Sequence, residues 1–304
     1  MAVTVEADPQ VVAALRQKLL DPSTSLQRKY RVLFSLRNIK AKEAHDAMLA
    51  ALQDESALFR HEVAYCLGQR QDAAALDILT RVLKDTSEHP MVRHEAGEAL
   101  GAIGTVDCLT RLQDFADDPC LEVAETCQLA LQRIEYYNSQ AAAHKPDESR
   151  YLSIDPTPAA PASTPTAELR ATLLDEHARI FDRYRAMFAL RNQGGHEAVE
   201  ALGQSFGARS ALLKHEVAYV LGQMQDAHAV DMLRAVLQDG TEHAMVRHEA
   251  AEALGSIGDA ECLELLKQHC KDPEPIVADS CVVALDMLEF ENSGQFEYVD
   301  TGST

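Results

Sequence analysis

Histidine and glutamate side by side offer an imidazole and a carboxylate, the donors from which proteins build non-haem metal centres. This chain carries five such dipeptides: His61-Glu62, His94-Glu95, His196-Glu197, His215-Glu216 and His248-Glu249. Twelve histidines among 304 residues would meet a glutamate about once by chance. Nitrogen and oxygen donors without sulfur suit iron, manganese or zinc, and two histidines with one carboxylate form the donor set of non-haem Fe(II) oxygen chemistry. A hydrolytic di-zinc or di-manganese centre can use the same donors. Such centres usually include aspartate, and none is repeated beside these pairs, which tilts the set toward iron.

Four of the five pairs are related by duplication. The run RHEVAYCLGQR from Arg60 to Arg70 returns as KHEVAYVLGQM from Lys214 to Met224. EHPMVRHEAGEALGAIG from Glu88 to Gly104 returns as EHAMVRHEAAEALGSIG from Glu242 to Gly258. The offset is 154 residues in both cases, and the halves align without a gap from about residue 29 to 135. His196-Glu197 falls outside the pattern. Its counterpart is Lys42-Glu43 and it opens a different helix, so it reads as accidental. Identity between the halves is 14 of 17 positions across 88–104 but only 6 of 19 across 40–58. Something holds the surroundings of the pairs while the rest drifts.

The elements that must position the pairs follow from a shorter period. Tyr30 to His61 is 31 residues and His61 to His94 is 33. Within these units the apolar residues keep helical spacing: Val32, Leu33, Leu36 and Ile39, then Val92, Ala96, Ala99, Leu100 and Ile103. A period in the low thirties without the tetratricopeptide or ankyrin signatures predicts an all-α solenoid of eight HEAT-like helical hairpins, in two four-repeat halves. The expected layout is an N-terminal half over 1–138, a flexible Pro/Ala-rich linker over 139–166, a C-terminal half over 167–291 and a disordered tail over 292–304. At about 100° per residue the apolar stripe around Val92 and Leu100 lies opposite His94, which places the pair on the concave face. Adjacent helices about 8–10 Å apart would let His61 and His94 reach one ion. Each half then supplies two histidines and at least one glutamate, and facing halves would hold two ions.

Composition narrows the alternatives. Lys plus Arg total 28 against 48 for Asp plus Glu, a net charge of −20, which argues against nucleic-acid binding and favours a cationic partner. The apolar runs are too short to span a membrane, and the N-terminus lacks the features of a signal peptide. Seven cysteines without a CxxC motif suit reduced thiols and a cytoplasmic setting.

The eight-unit array split four plus four, with RHEVAY around His61 and MVRHEA around His94 and His248, resembles the deoxyhypusine hydroxylase family over nearly the whole folded chain. That resemblance implies a di-iron monooxygenase acting on the deoxyhypusine side chain of translation initiation factor 5A. Two Fe2+ ions, dioxygen as co-substrate and a reductant would serve it, with no catalytic residue beyond the metal centre. By the same resemblance His61, His94 and Glu95 bind one iron and His215, His248 and Glu249 the other. Glu62 and Glu216 are ligands or near-ligands that also bind the cationic amines of the substrate. The implied enzyme is a monomer with neither membrane nor nucleic-acid partners. Met91 and Met245 are candidates for lining the substrate channel, with core packing as the alternative. Gly68 and Gly222 are candidates for close approach to a ligand, or for helix packing. His89 and His243 fit the rim of the site or a helix cap. Cys108, Cys127, Cys262 and Cys281 are expected as buried filler, and Tyr65 and Tyr219 as core, with a hydrogen bond supporting the site as the alternative.

Overall fold

The computed structural model describes residues 5–139, 149–259 and 261–293. Among the described residues sixteen α-helices follow one another as α1 (Pro9–Leu20), α2 (Leu26–Arg37), α3 (Lys42–Ala51), α4 (Ala57–Arg70), α5 (Leu76–Lys84), α6 (Pro90–Ile103), α7 (Val106–Gln113) and α8 (Leu121–Asn138), then α9 (Thr166–Leu174), α10 (Ile180–Gln193), α11 (His196–Gln204), α12 (Ala211–Met224), α13 (Val230–Gln238), α14 (Ala244–Ile257), α15 (Cys262–His269) and α16 (Pro275–Ser293). Taken in pairs they are the eight hairpins of an all-α solenoid, and among the described residues the one β feature is a bridge between Val5 and Ile39. The apolar stripes read from the periodicity, Val32 to Ile39 and Val92 to Ile103, are buried. Among the described residues, no helix is long and apolar enough to cross a membrane.

Contacts divide the chain into two units. One holds α1 to α7, α8 as far as Ile134, and Leu152–Ile154; the other holds the end of α8, Tyr151 and Asp155–Asn292. Within each unit the hairpins are closed by polar chemistry that the sequence repeats. Asp21, Asp85, Asp175 and Asp239 each end a first helix and accept the backbone N–H two residues on, at 2.8–2.9 Å, turning the chain into the second helix. An arginine in the first turn of the second helix then reaches back. Arg93, Arg183 and Arg247 donate Nε to the carbonyls of Leu83, Leu173 and Leu237 at 3.0, 2.8 and 3.1 Å, satisfying acceptors that helix ends leave open.

Two of these arginines also reach the following hairpin. Arg93 pairs with Asp118 and Arg247 with Asp272, each at 2.6 Å and each almost fully buried. The aspartates accept in turn the N–H of Cys120 and Glu274, at 2.9 and 3.0 Å. One ion pair thus ties the end of a first helix, its partner and the turn inside the next hairpin.

Half of the segment read as a linker is held in place. Residues 140–148 lie outside the described residues, as does most of the expected tail. From Asp155 onward the chain is fastened to α10: Arg191, with no exposed surface, pairs with Asp155 at 2.6 Å, and Ala160 N–H donates to the Arg185 carbonyl at 2.9 Å. Thr157 is buried between them in sequence. A proline-rich stretch without apolar period conceals such packing, because its contacts are backbone carbonyls and one carboxylate rather than a hydrophobic face.

The buried ion pairs set an acid limit on stability. Burial would raise the Asp272 carboxyl, but hydrogen bonds from Arg247, the Glu274 N–H and His269 outweigh it and hold the carboxyl at about 2; Asp118 is likewise lowered by Arg93. A carboxyl held below its unfolded value of about 3.9 stabilises the fold fully above that pH, and the contribution fades as the pH falls toward about 2. Urea unfolding should therefore show stability falling between about pH 4 and pH 2. Asp272→Asn should lower stability by about 3–5 kcal/mol at pH 7 by leaving Arg247 buried and unpaired, and should flatten that acid limb.

Candidate metal centre

The second helices of the hairpins carry the His-Glu pairs: His61 and Glu62 on α4, His94 and Glu95 on α6, His215 and Glu216 on α12, His248 and Glu249 on α14. Each helix starts at a defined cap. Ser56 and Ser210 accept the N–H of Phe59 and Leu213 at 3.2 and 3.0 Å. On α6 and α14 an imidazole does this work, His89 and His243 accepting the N–H of Met91 and Met245 through Nδ1 at 3.2 and 3.3 Å. These two histidines therefore fix the helix starts, in line with the capping alternative.

Close approach of α4 to α6, and of α12 to α14, brings the pairs together. A Cβ on Gly68 would lie 2.8 Å from the Ala99 Cα, and one on Gly222 would lie 3.0 Å from the Ala253 Cα. The space these glycines leave open is taken by the neighbouring helix backbone. Of the two alternatives for Gly68 and Gly222, approach to a ligand or helix packing, these contacts favour packing. One turn further along, Gln71 and Gln225 end α4 and α12 in the left-handed region and donate from their side-chain amides to the carbonyls of Ala102 and Ser256, at 2.7 and 2.8 Å.

Within the first unit, the His61 and His94 rings stand 5.5 Å apart and His61 Nε2 lies 3.3 Å from a Glu95 oxygen. The second unit repeats this, with His215 and His248 rings 5.2 Å apart and His215 Nε2 3.3 Å from a Glu249 oxygen. Donor atoms of His215, His248 and Glu249 all lie within 4.8 Å of one another. Two donors about 2.1 Å from one ion, at roughly 90–110° to each other, stand about 3.0–3.4 Å apart. The His61–Glu95 and His215–Glu249 separations meet that requirement, and His248 Nε2 stands somewhat further from Glu249, at 4.0 Å, so the residues could hold a metal between two imidazoles and a carboxylate in each unit.

The surroundings are dry and negative. All eight residues of the four pairs are buried, His94 and His248 completely. On the histidine side of α6 and α14, Thr126 on α8 and Ser280 on α16 meet the rings. Burial, with the charges of Glu62 and Glu95 adding to it, pushes the Cys66 thiol well above its ordinary value. Glu62 and Glu216 are buried on the helices of the first pairs, and Met91 and Met245 in the first turns of α6 and α14. Cys108, Cys127, Cys262 and Cys281 are buried free thiols. Tyr65 and Tyr219 are half-buried rather than core, and Tyr219 accepts from Gln223 at 3.0 Å. His196, set aside as accidental, sits exposed on α11 beside Glu200, away from the pairs in its unit's sequence of second helices.

Two further glutamates close to the rings were not singled out by the dipeptide pattern. Glu98 joins His94 and Glu95 within 4.8 Å, and Glu252 lies 3.7 Å from His248 Nδ1. Both stand four residues after a site histidine inside the block of near-identity between the halves, and that spacing places them on the same helix face.

The fold places the chain among the HEAT-repeat proteins. The HEAT-repeat family profile matches residues 12–89 and 199–286, and the PBS lyase HEAT-like repeat matches 92–118 and 182–206. Deoxyhypusine hydroxylase of Danio rerio is 52% identical over 97% of this chain and 97% of its own length, and that of Homo sapiens is 51% identical over 96% and 95%. The solved structure of the human deoxyhypusine hydroxylase, in complex with glycerol, superposes with a TM-score of 0.89 at 52% identity, covering 92% of this chain and 96% of that one. The chain belongs to the deoxyhypusine hydroxylase family.

Helix spacing at the glycines should control metal binding. Gly222→Val is expected to push α12 from α14, lower stability by about 1–3 kcal/mol and weaken binding of the ion in the second unit more than in the first. Thermal unfolding and metal titration of the same preparation check both parts; unchanged affinity with lowered stability would separate the glycine from the site.

Proposed function

We propose that this chain is a non-haem di-iron monooxygenase that hydroxylates the deoxyhypusine side chain of translation initiation factor 5A, completing hypusine. What carries the reading is the group of His215, His248 and Glu249, matched in the first unit by His61 beside both His94 and Glu95, in a chain half identical to deoxyhypusine hydroxylases. Hydroxylating an unactivated C–H bond lies beyond acid–base side chains. Bound iron supplies that chemistry: one oxygen atom of dioxygen enters the C–H bond, and the other leaves as water with two electrons and two protons from a reductant.

The chain's own residues bind and exclude. His61, His94 and Glu95 hold one ion and His215, His248 and Glu249 the other. Glu62 and Glu216, each adjoining a metal-binding histidine, are positioned to receive the protonated amines of the substrate. A buried carboxylate binds an ammonium far better than an exposed one does. Met91 and Met245 offer thioether surface to the methylenes between those amines. Enclosure of the histidines keeps bulk water from the reacting carbon. The acidic surface implied by a net charge of −20 draws in a cationic side chain and its basic surroundings. Because all seven cysteines are free thiols, a reducing cytoplasmic setting fits the chain, and the reading takes it to act as a monomer.

Metal analysis with an oxygen-dependence assay tests the reading. Two iron ions per chain, visible absorption, and turnover requiring both dioxygen and a reductant are expected; zinc with oxygen-independent turnover would establish a hydrolytic centre instead. Glu62→Ala and Glu216→Ala should each weaken binding of the deoxyhypusine-bearing protein about 10–100-fold while keeping iron, since a charge-assisted hydrogen bond contributes about 1.5–3 kcal/mol. Complete loss of iron with unaltered substrate affinity would reassign both glutamates to the metal.

A further inference from the structure

His248 is buried between two different polar groups. Its Nε2 lies 4.0 Å from a Glu249 oxygen, on the side of the metal-binding set. Its Nδ1 lies 3.3 Å from the Ser280 hydroxyl on α16, and the same hydroxyl stands 2.9 Å from a Glu252 oxygen. Glu252 itself is 3.7 Å from Nδ1, beyond hydrogen-bond reach, so the serine is the link between them.

The proton count fixes the direction of this chain of contacts. A hydroxyl has one proton to give, whereas a carboxylate accepts only. The Ser280 proton therefore goes to Glu252, and toward His248 the oxygen can only accept. That requires the proton of the neutral imidazole to sit on Nδ1 and leaves the Nε2 lone pair directed at the Glu249 side. We infer that Ser280 and Glu252 are positioning residues that hold His248 in the Nδ1–H tautomer and thereby ready its Nε2 for a metal. The inference rests on the proposed metal-binding role of His248.

The other unit supports it. Thr126, the counterpart of Ser280, places its hydroxyl 3.5 Å from His94 Nδ1, and Glu98, the counterpart of Glu252, lies within 4.8 Å of both His94 and Glu95. Thr126 and Ser280 are both almost fully buried, as are the rings that they meet. The identity between the halves lapses at this position, serine for threonine, yet the hydroxyl persists. A hydroxyl buried between an imidazole and a helix is poorly explained by packing alone, for which alanine or valine would serve.

The test combines anaerobic Fe(II) titration with 15N NMR of histidine-labelled, metal-free protein. In the unsubstituted protein His248 should show a protonated Nδ1 and an unprotonated Nε2. Ser280→Ala should mix the tautomers and weaken iron binding in the second unit by about 10–100-fold, leaving the first unit's ion in place. Ser280→Thr, which installs the other unit's hydroxyl, should restore both readouts. Iron affinity unmoved by Ser280→Ala, or an Nε2–H tautomer in the unsubstituted protein, would overturn the inference. His248→Ala separates the two levels: if it keeps the ion, the metal role of His248 fails, while the tautomer of the unsubstituted protein still judges the relay on its own.

Discussion

The distance between neighbouring second helices governs everything at this site. Imidazole side chains are short, and two of them meet at one point only when their helices are nearly in backbone contact. Gly68 against Ala99, and Gly222 against Ala253, supply that contact, since a Cβ at either glycine would fall within 3.0 Å of the facing Cα. The same device recurs one hairpin on, where Gly101 meets Ala130 and Gly255 meets Ala284. There it brings α8 and α16 close enough for Thr126 and Ser280 to touch the histidine rings. Small residues in register thus set a ladder of close helices. The donors and their supporting hydroxyls are consequences of it.

Polar groups buried around this ladder are organised to hold it without engaging Glu95 and Glu249. Arg93 and Arg247 adjoin site histidines in sequence, yet each turns away to a first-helix carbonyl and to an aspartate of the next hairpin. Their positive charge is spent on Asp118 and Asp272 rather than on Glu95 and Glu249, which leaves those carboxylates to the imidazoles. An arginine directed into the site would oppose a cation there by Coulomb repulsion that a dry interior hardly screens. The clamps therefore serve the fold and the chemistry through one choice of rotamer.

Much of this was legible in the residues. The low-thirties period gave the hairpins, and the offset of 154 gave the two halves. The sparing of residues 88–104 from drift pointed to His94 and Glu95. What stayed hidden was of three kinds. Gly68 and Gly222 were visible as repeated glycines, but whether a glycine makes room for a ligand or for a helix depends on which way its missing side chain points, and only tertiary structure shows that. Thr126 and Ser280 were hidden because they differ between the halves and lie about thirty residues from the rings they support. A search for identical dipeptides passes over a hydroxyl kept in two chemical forms. The packing of residues 155–160 was hidden because proline-rich chain carries no period.

Duplication turns the comparison of the halves into an internal experiment on what the site demands. Position 66 is cysteine in one half and valine in the other, so the thiol there is dispensable even though it lies in the field of two site glutamates. Position 60 is arginine against lysine at 214, and both reach the glutamate that precedes the next helix cap, Glu88 or Glu242, so charge is kept and geometry is not. The His-Glu pairs, the glutamates four residues after the second pairs, and the close-contact glycines are kept in identity. Ordering the positions this way, by tolerance between two copies in one molecule, separates groups that must present a particular atom from groups that need only fill space or carry charge. The hydroxyl at 126 and 280 falls between these classes, as a group whose oxygen is required and whose methyl is not.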